Sequence, residues 1–383
     1  MKTKGLRRRL LLVHTTIGLW VGVVFVLLGA TGSALTFYQE LDALLNPHIA
    51  PATAQVGDIS VQNVYEVLRR EYPGRTGSWR IELPMAPGNA IAARYLKPAE
   101  TMHKTFAPLM VTMDPLTYQV SSSRYWGSYL MTWVYDLHYT LLLEDLGHNT
   151  VGVIGMLMLV SIFLGLWLWM PKWGHMTRHM KPIIRSQPVK KVYDLHMISG
   201  IYGGVLLAII ALTGVLLVFP QTSKRMMSAL LEFENSMPVA QHLPTAGQQQ
   251  ADLDRLIERS RSVFPQSEVR WIETSGDDGR EVTLRLFNGD EPSRRFPKTY
   301  LKLHPVTAEV LHQRNYHQLP AGDKLWAWVH PLHNGEAFGA LGRVVATLLG
   351  LVPIVLMMTG FIRHLHKRNA NGFARAKRRD GFR

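Results

Sequence analysis

Residues 10–37 read LLLVHTTIGLWVGVVFVLLGATGSALTF. The run is apolar and long enough to cross a hydrocarbon core of about 30 Å at about 1.5 Å per residue. Its opening, LLLVHTTIGLWVG (10–22), has a near-copy in VYDLHMISGIYGG (192–204). Placing His14 on His196 brings Gly18 onto Gly200, Gly22 onto Gly204 and Thr31-Gly32 onto Thr213-Gly214. The run is too long for a signal peptide, and its near-copy lies where no cleavage would make sense. Three further apolar runs fall at about 151–170, 195–219 and 344–362. The second and fourth also correspond: Leu137-His138 falls on Leu332-His333, and Gly147, Gly155 and Gly165 fall on Gly342, Gly350 and Gly360. Between them Asp114-Pro115-Leu116-Thr117 falls on His304-Pro305-Val306-Thr307. The offset drifts from 182 through 190 to 195, as loop insertions would make it.

Charge orients this repeat. The chain of 383 residues has 42 Lys and Arg against 28 Asp and Glu, a formal charge of +14. Nineteen of the cations sit in three short stretches: 2–9, 172–191 and 363–383, which together hold one acid, Asp380. The remainder carries a small net negative charge. This positive-inside pattern places both termini and the middle linker in the cytoplasm of a bacterial inner membrane, and it argues against nucleic-acid binding. Both copies then begin on the same side, so the repeat is parallel, with its pseudo-two-fold axis along the membrane normal.

The resulting boundaries are a tail and first helix (1–40), an α+β domain (41–130), a second helix (131–171), a basic linker (172–191), a third helix (192–220), a second α+β domain (221–324), a fourth helix (325–366) and a basic tail (367–383). Within the two long loops, VQNVYEVLRREYPG and DLDRLIERSRSVFP are amphipathic helices. The segments SWRIELP, AIAARYL and LMVTMDPLTYQV, and then VRWIET, EVTLRLF and TYLKLHPVTAEVLHQ, alternate as strands. The fold class expected is a mainly α membrane protein: a four-helix transmembrane bundle from two parallel repeats, carrying two periplasmic α+β domains.

There are no cysteines, which excludes disulfides, iron–sulfur clusters, thiolate zinc sites and c-type haem attachment. Histidine is the remaining strong ligand. Symmetry sets His14 to face His196 near the cytoplasmic side and His138 to face His333 near the periplasmic side. A planar macrocycle with two axial positions fits a ligand held equally from both halves, and haem iron accepts His on both faces. Glycines follow His14 and His196 at the same steps of +4, +8 and +18, close to the His face of each helix. Such a stripe also serves plain helix packing. The second pair is less regular. Its glycines at +9, +17 and +27 leave the His face, and 34 residues separate His138 from Lys172. One straight helix of that length overshoots the membrane, so it either extends outward or bends near Gly147. A backbone-bonded interfacial histidine is the plainer account there.

The secondary candidates are His330, a substitute for His333 that aligns with Tyr135, and the aligned His148 and Arg343, either of which suits a haem propionate. His175, His179, His364 and His366 read as interfacial charge. His48, His103, His242, His304, His312 and His317 read as surface residues, and no HExxH motif occurs. Trp20, Trp133, Trp326 and Trp328 read as interfacial anchors.

These helix starts, the Thr-Gly pairs, and the LHYTLLLEDLG and LHNGEAFGALG segments resemble the PepSY-associated transmembrane family, and within it the ferrisiderophore reductases of the ferrioxamine type. The resemblance implies PepSY-like periplasmic domains, b-type haem on His14, His196, His138 and His333, and reduction of ferric siderophore in the periplasm. Two haems, each held by two histidines, are expected. No G-x-G-x-x-G loop is present, so the electron donor is expected to be a separate cytoplasmic or quinol molecule. Two other classes remain open. One is a membrane-anchored PepSY module that binds peptides or regulates a protease, with structural histidines. The other is a haem or metal transporter, which the scarcity of intramembrane charge disfavours.

Overall fold

The computed structural model describes residues 2–49, 51, 58–170, 186–234, 243, 249–277 and 279–380. Most of the basic linker, including His175 and His179, and also His242, lies outside the described residues. The chain divides into two compact units, residues 1–37 with 135–220 and 332–383, and residues 38–134 with 221–331.

In the first unit four helices, Gly5–Leu35, Glu144–Trp169, Pro188–Val218 and Glu336–Asn369, are long and apolar enough to cross a membrane. This is a membrane protein. The helical elements of the chain are α1 (Lys2–Leu35), α2 (Tyr38–Leu45), α3 (Val61–Glu71), α4 (Leu130–Thr140), α5 (Glu144–Trp169), α6 (Pro188–Ile198), α7 (Gly204–Val218), α8 (Pro220–Met227), α9 (Leu253–Val263), α10 (Ala321–Asn334) and α11 (Gly339–Asp380). A π-helical turn, Ser199–Gly203, joins α6 to α7 just after His196. Such turns are often found at functional sites.

Helix α1 packs against α5 and α11, α5 against α7, and α6 against α11. Small residues allow the closest crossing. A Cβ on Gly29 would lie 2.3 Å from the Gly350 carbonyl oxygen, and one on Gly350 would lie 2.2 Å from Ser33 Oγ. Around this contact Ser33 Oγ donates to the Thr347 carbonyl at 2.8 Å, and the Thr36 and Thr347 hydroxyls meet at 2.6 Å. Such contacts hold membrane helices together where lipid provides no hydrophobic drive.

The second helix does not run straight. It breaks after Thr140, and Leu141, Leu142 and Glu144 take left-handed φ values of 50°, 60° and 50°. The break needs a glycine at 147, because a Cβ there would lie 1.5 Å from the Thr140 carbonyl oxygen. In the fourth helix Gly335 (φ 79°) and Gly339 (φ 60°) make the matching break between α10 and α11.

The second unit is built on one antiparallel sheet of eight strands: β1 (Trp79–Glu82), β2 (Ile91–Tyr95), β3 (Leu109–Met113), β4 (Val120–Tyr125), β5 (Glu268–Glu273), β6 (Val282–Phe287), β7 (Thr299–Leu303) and β8 (Val310–Arg314). Their order is β4-β3-β2-β1-β5-β6-β7-β8. The sequence reading of two small domains is therefore corrected: the two long loops complete a single unit. The reason lies at the seam. Arg80 pairs with Glu273 across β1 and β5 at 2.6 Å; beside them Thr274 N donates to the Trp79 carbonyl at 2.8 Å and Trp79 N donates to Thr274 Oγ1 at 3.0 Å. Helices α3 and α9 cover one face with Val64, Leu68, Leu256 and Ile257, over Trp79, Ile81, Ile272 and Leu284. Their N-termini cap each other. Asp254 accepts from Val61 N at 2.7 Å and Ser60 Oγ at 2.5 Å, while Gln62 Oε1 accepts from Leu253 N at 3.1 Å.

The two aligned Pro-X-Thr segments form turns that use different side chains for the same work. Asp114 Oδ1 accepts from Leu116 N and Thr117 N, and His304 Nδ1 accepts from Val306 N and Thr307 N. His304 is thus a turn residue.

Candidate functional site

All four helix histidines lie in the first unit, and they form two pairs. The ring centroids of His14 and His196 are 6.4 Å apart, and those of His138 and His333 are 6.2 Å apart. Two imidazoles sharing one metal through bonds of about 2.0–2.1 Å, with each ring nitrogen about 1.1 Å from its centroid, stand about 6.3 Å apart.

A helix of the same half holds each ring through Nδ1. His14 on α1 meets the Ser161 carbonyl oxygen on α5 at 2.9 Å. His333 on α10 meets the Ile210 carbonyl oxygen on α7 at 2.9 Å. A carbonyl only accepts, so in both rings Nδ1 carries the proton. His138 on α4 meets Thr31 Oγ1 on α1 at 3.0 Å, and His196 on α6 meets Thr359 Oγ1 on α11 at 2.9 Å. Each of these hydroxyls donates its own proton one turn back along its helix, Thr31 to the Leu27 carbonyl at 2.8 Å and Thr359 to the Val355 carbonyl at 2.6 Å. With its proton so placed, each oxygen accepts from histidine. In this arrangement all four imidazoles are the Nδ1–H tautomer, and each keeps its Nε2 lone pair for a ligand. Among the described residues nothing donates a hydrogen bond to any of these Nε2 atoms.

Glycine seats each ring. A Cβ on Gly165 would meet His14 Cε1 at 3.1 Å, one on Gly32 would meet His138 at 2.9 Å, one on Gly360 would meet His196 at 3.4 Å, and one on Gly214 would meet His333 at 3.0 Å. This revises the glycine reading. Gly32 and Gly214 serve the histidine of the neighbouring helix rather than the one on their own. Gly18 has nothing within 4 Å, and Gly22 faces Met357 Sδ at 3.2 Å. Thr31 and Gly32 follow His14 by 17 and 18 residues on α1, so the two pairs stand about 26 Å apart along that helix.

The secondary candidates are engaged elsewhere. His330 packs edge-on against Phe296 in the second unit, with centroids 5.1 Å apart. His148 Nε2 lies 3.2 Å from the Val218 carbonyl oxygen at the end of α7, and its Nδ1 lies 3.4 Å from that of Tyr139. Arg343 Nε donates to the Thr36 carbonyl just past α1 at 2.8 Å, and its guanidinium covers the Phe37 ring at 4.2 Å. These two aligned residues each satisfy the open carbonyls of a helix end.

The donor set limits the ligand. Among the described residues no group of three or more His, Asp or Glu is placed to hold a metal ion. Each pair offers two imidazole nitrogens, so a metal held there needs its other positions filled by a second molecule. A porphyrin supplies four nitrogens in a plane and leaves two axial sites, and the spacing, tautomer and glycine seats fit that demand. Ser161 and Thr359 had no signal in the repeat, since they occupy non-equivalent positions, one four residues and one a single residue before the aligned glycines.

No curated protein matches the sequence. A family model for the PepSY-associated TM region matches residues 11–367, from the first turns of α1 to the far end of the fourth apolar helix. With nearly its whole length so matched, the chain belongs to the PepSY-associated transmembrane family.

Proposed function

We propose that the chain is an inner-membrane b-type haem protein that carries electrons across the bilayer to a ferric siderophore in the periplasm. The observation that carries this reading is the pair of histidine couples, centroids 6.4 and 6.2 Å apart, every ring held as the Nδ1–H tautomer. Haem bound between each couple supplies a one-electron carrier that needs no proton. Ser161, Thr31, Thr359 and Ile210 fix the direction of each imidazole and raise its basicity as a ligand. The couples lie toward opposite ends of α1, which suits uptake of an electron on one side and its delivery on the other. The basic segments support cytoplasmic termini, and so a cytoplasmic or quinol donor.

The substrate step is simple. A siderophore holds Fe(III) through hard oxygen donors, which bind Fe(II) far more weakly. One electron converts Fe(III) to Fe(II), the metal leaves, and the chelator is unchanged. The chain needs no general acid or base for this step.

The experiment is purification from haem-replete cells with haem counted per chain, followed by stopped-flow mixing of the dithionite-reduced protein with ferrioxamine and an Fe(II)-trapping dye. Two haems in wild type, one in His14→Ala and one in His333→Ala, with rapid reoxidation by the ferric chelate, are expected. A colourless protein would instead favour the anchored peptide-binding module.

A further inference from the structure

The second unit contains a cavity of about 140 Å³ that none of the four histidines touches. Lys224, Lys298, Tyr300, Arg314, Asp323 and Trp326 line it. Its charges are unequally matched. Arg314 is ion-paired with Glu234 at 2.6 Å and Asp323 at 2.9 Å, and the other oxygen of Asp323 accepts from Glu234 N at 2.6 Å. Both carboxylates are thereby committed to one guanidinium and one main-chain amide. Lys224 lies over the rings of Trp326 at 5.2 Å and Phe233 at 5.8 Å. Among the described residues neither Lys224 nor Lys298 forms an ion pair. Arg285 adds a fourth cation nearby, stacked on Tyr300 at 4.2 Å.

Two half-buried ammonium groups that face one small cavity, with its single lining carboxylate, Asp323, held by Arg314, repel each other and favour an added anion. Burial, and then Arg285, Arg314 and Lys224, push the Lys298 ammonium down to about 8, with Glu291 opposing. The cavity holds four or five waters at about 30 Å³ each. That is room for the five heavy atoms of a phosphate group and too small for a macrocycle or a whole siderophore.

We infer that this cavity binds one oxyanion, a phosphate or carboxylate group, clasped by Lys224 and Lys298 beside Trp326, whose ring face is taken by the Lys224 ammonium. The anion supplies the missing counter-charge and receives charge-assisted hydrogen bonds from both ammonium groups. It comes either from solution or from the headgroup of an anionic lipid.

The test uses the full chain in two arms. In lipid-depleted detergent, inorganic phosphate is titrated at fixed ionic strength while the thermal midpoint is followed, since a ligand of the folded state raises it. In nanodiscs of phosphatidylcholine with or without phosphatidylglycerol, retained lipid is counted by native mass spectrometry. Wild type, Lys298→Arg and Lys324→Met should respond alike, because Lys324 donates to the His317 carbonyl away from the cavity. Lys298→Met and Lys224→Met should weaken binding at least tenfold. A response in the first arm identifies a dissolved anion, and one confined to the second identifies a headgroup. No response of wild type in either arm, or an unchanged response in both methionine variants, overturns the site. Should a methionine variant fail to fold, Lys298→Gln and Lys224→Gln carry the same comparison. The haem count plays no part, so this result and that of the redox reading stand apart.

Discussion

His138 donates its Nδ1 proton to the hydroxyl oxygen of Thr31 at 3.0 Å, and Thr31 passes its own proton to the Leu27 carbonyl at 2.8 Å. The hydroxyl therefore selects the tautomer as well as the position of the ring. Thr31→Val removes the acceptor with little change in volume. Loss of such an outer partner typically weakens metal binding about 10–100-fold. Haem transfer to an apoglobin should speed up by that factor for one of the two haems, and Thr31→Ser should behave as wild type. Equal transfer rates for Thr31→Val and wild type would show that the hydroxyl does not orient a ligand.

Gly32 is the floor under the same ring. An added methyl would stand 2.9 Å from His138 Cε1, tighter than packed carbons tolerate. Gly32→Ala should displace the imidazole and halve the haem count. Gly18→Ala, with nothing within 4 Å of its new atom, should keep both haems. Pyridine haemochrome assay of the two variants decides the matter; the same loss in both would mean the glycines act only through general helix packing.

Arg343 offers a contrast. Its Nε bonds the Thr36 carbonyl, so its work is to close a helix end. Arg343→Met should retain full haem and the wild-type reduction potential while lowering the thermal midpoint by a few degrees. A shifted potential with unchanged stability would restore the propionate role that the sequence suggests for it.

Asp254 ties the N-terminus of α3 to α9. Asp254→Ala strands Val61 N and Ser60 Oγ, and a lost cap with a charged acceptor costs about 2 kcal/mol. The second unit should become sensitive to protease at lower denaturant, with haem content unchanged. Wild-type resistance would place the stability of the seam in the β1–β5 pairing alone.

Lys298 gives a pH dependence whose sign is fixed. Burial first, then Arg285, Arg314 and Lys224, lower it to about 8, against an ordinary value of 10.5, while Glu291 acts the other way. Between these values the unfolded chain holds a proton that the folded chain has released, so folding stability gains with rising pH. The gain begins near pH 8 and ends near 10.5. Denaturant titrations across that window should show a rising term in wild type that is absent from Lys298→Met. Parallel curves would mean the ammonium is solvated.

Much of this molecule is legible in its residues. The apolar runs at 10–37, 151–170, 195–219 and 344–362 fall in the four apolar helices, because membrane spans are set by length and polarity alone. The helices at 61–71 and 253–263 and the strand segments follow from local periodicity. The single sheet does not. The outer edges of β1 and β5 carry no mark that tells pairing with each other from exposure, and Asp254 and Gln62 look like ordinary first-turn residues until two helix ends meet. Within the bundle, alignment names the four histidines but not what holds them. Thr31 and Thr213, whose hydroxyls stand 3.0 and 3.3 Å from His138 and His333 Nδ1, recur visibly; Ser161 and Thr359, at 3.1 and 2.9 Å from His14 and His196 Nδ1, do not, since a hydroxyl reaches a ring from more than one position on a helix.

The seam between β1 and β5 also has a kinetic side. Arg80 waits for Glu273, a partner 193 residues further along the chain. At about 5–20 residues per second the ribosome needs about 10–40 s to supply it. Throughout that interval the nascent first half presents an unmatched strand edge and two helix-end amides, Val61 N and Gln62 N, without the Asp254 carboxylate that accepts from them. An open edge of this kind recruits other chains. Newly made protein must therefore be shielded, or kept dilute, until its own second half arrives.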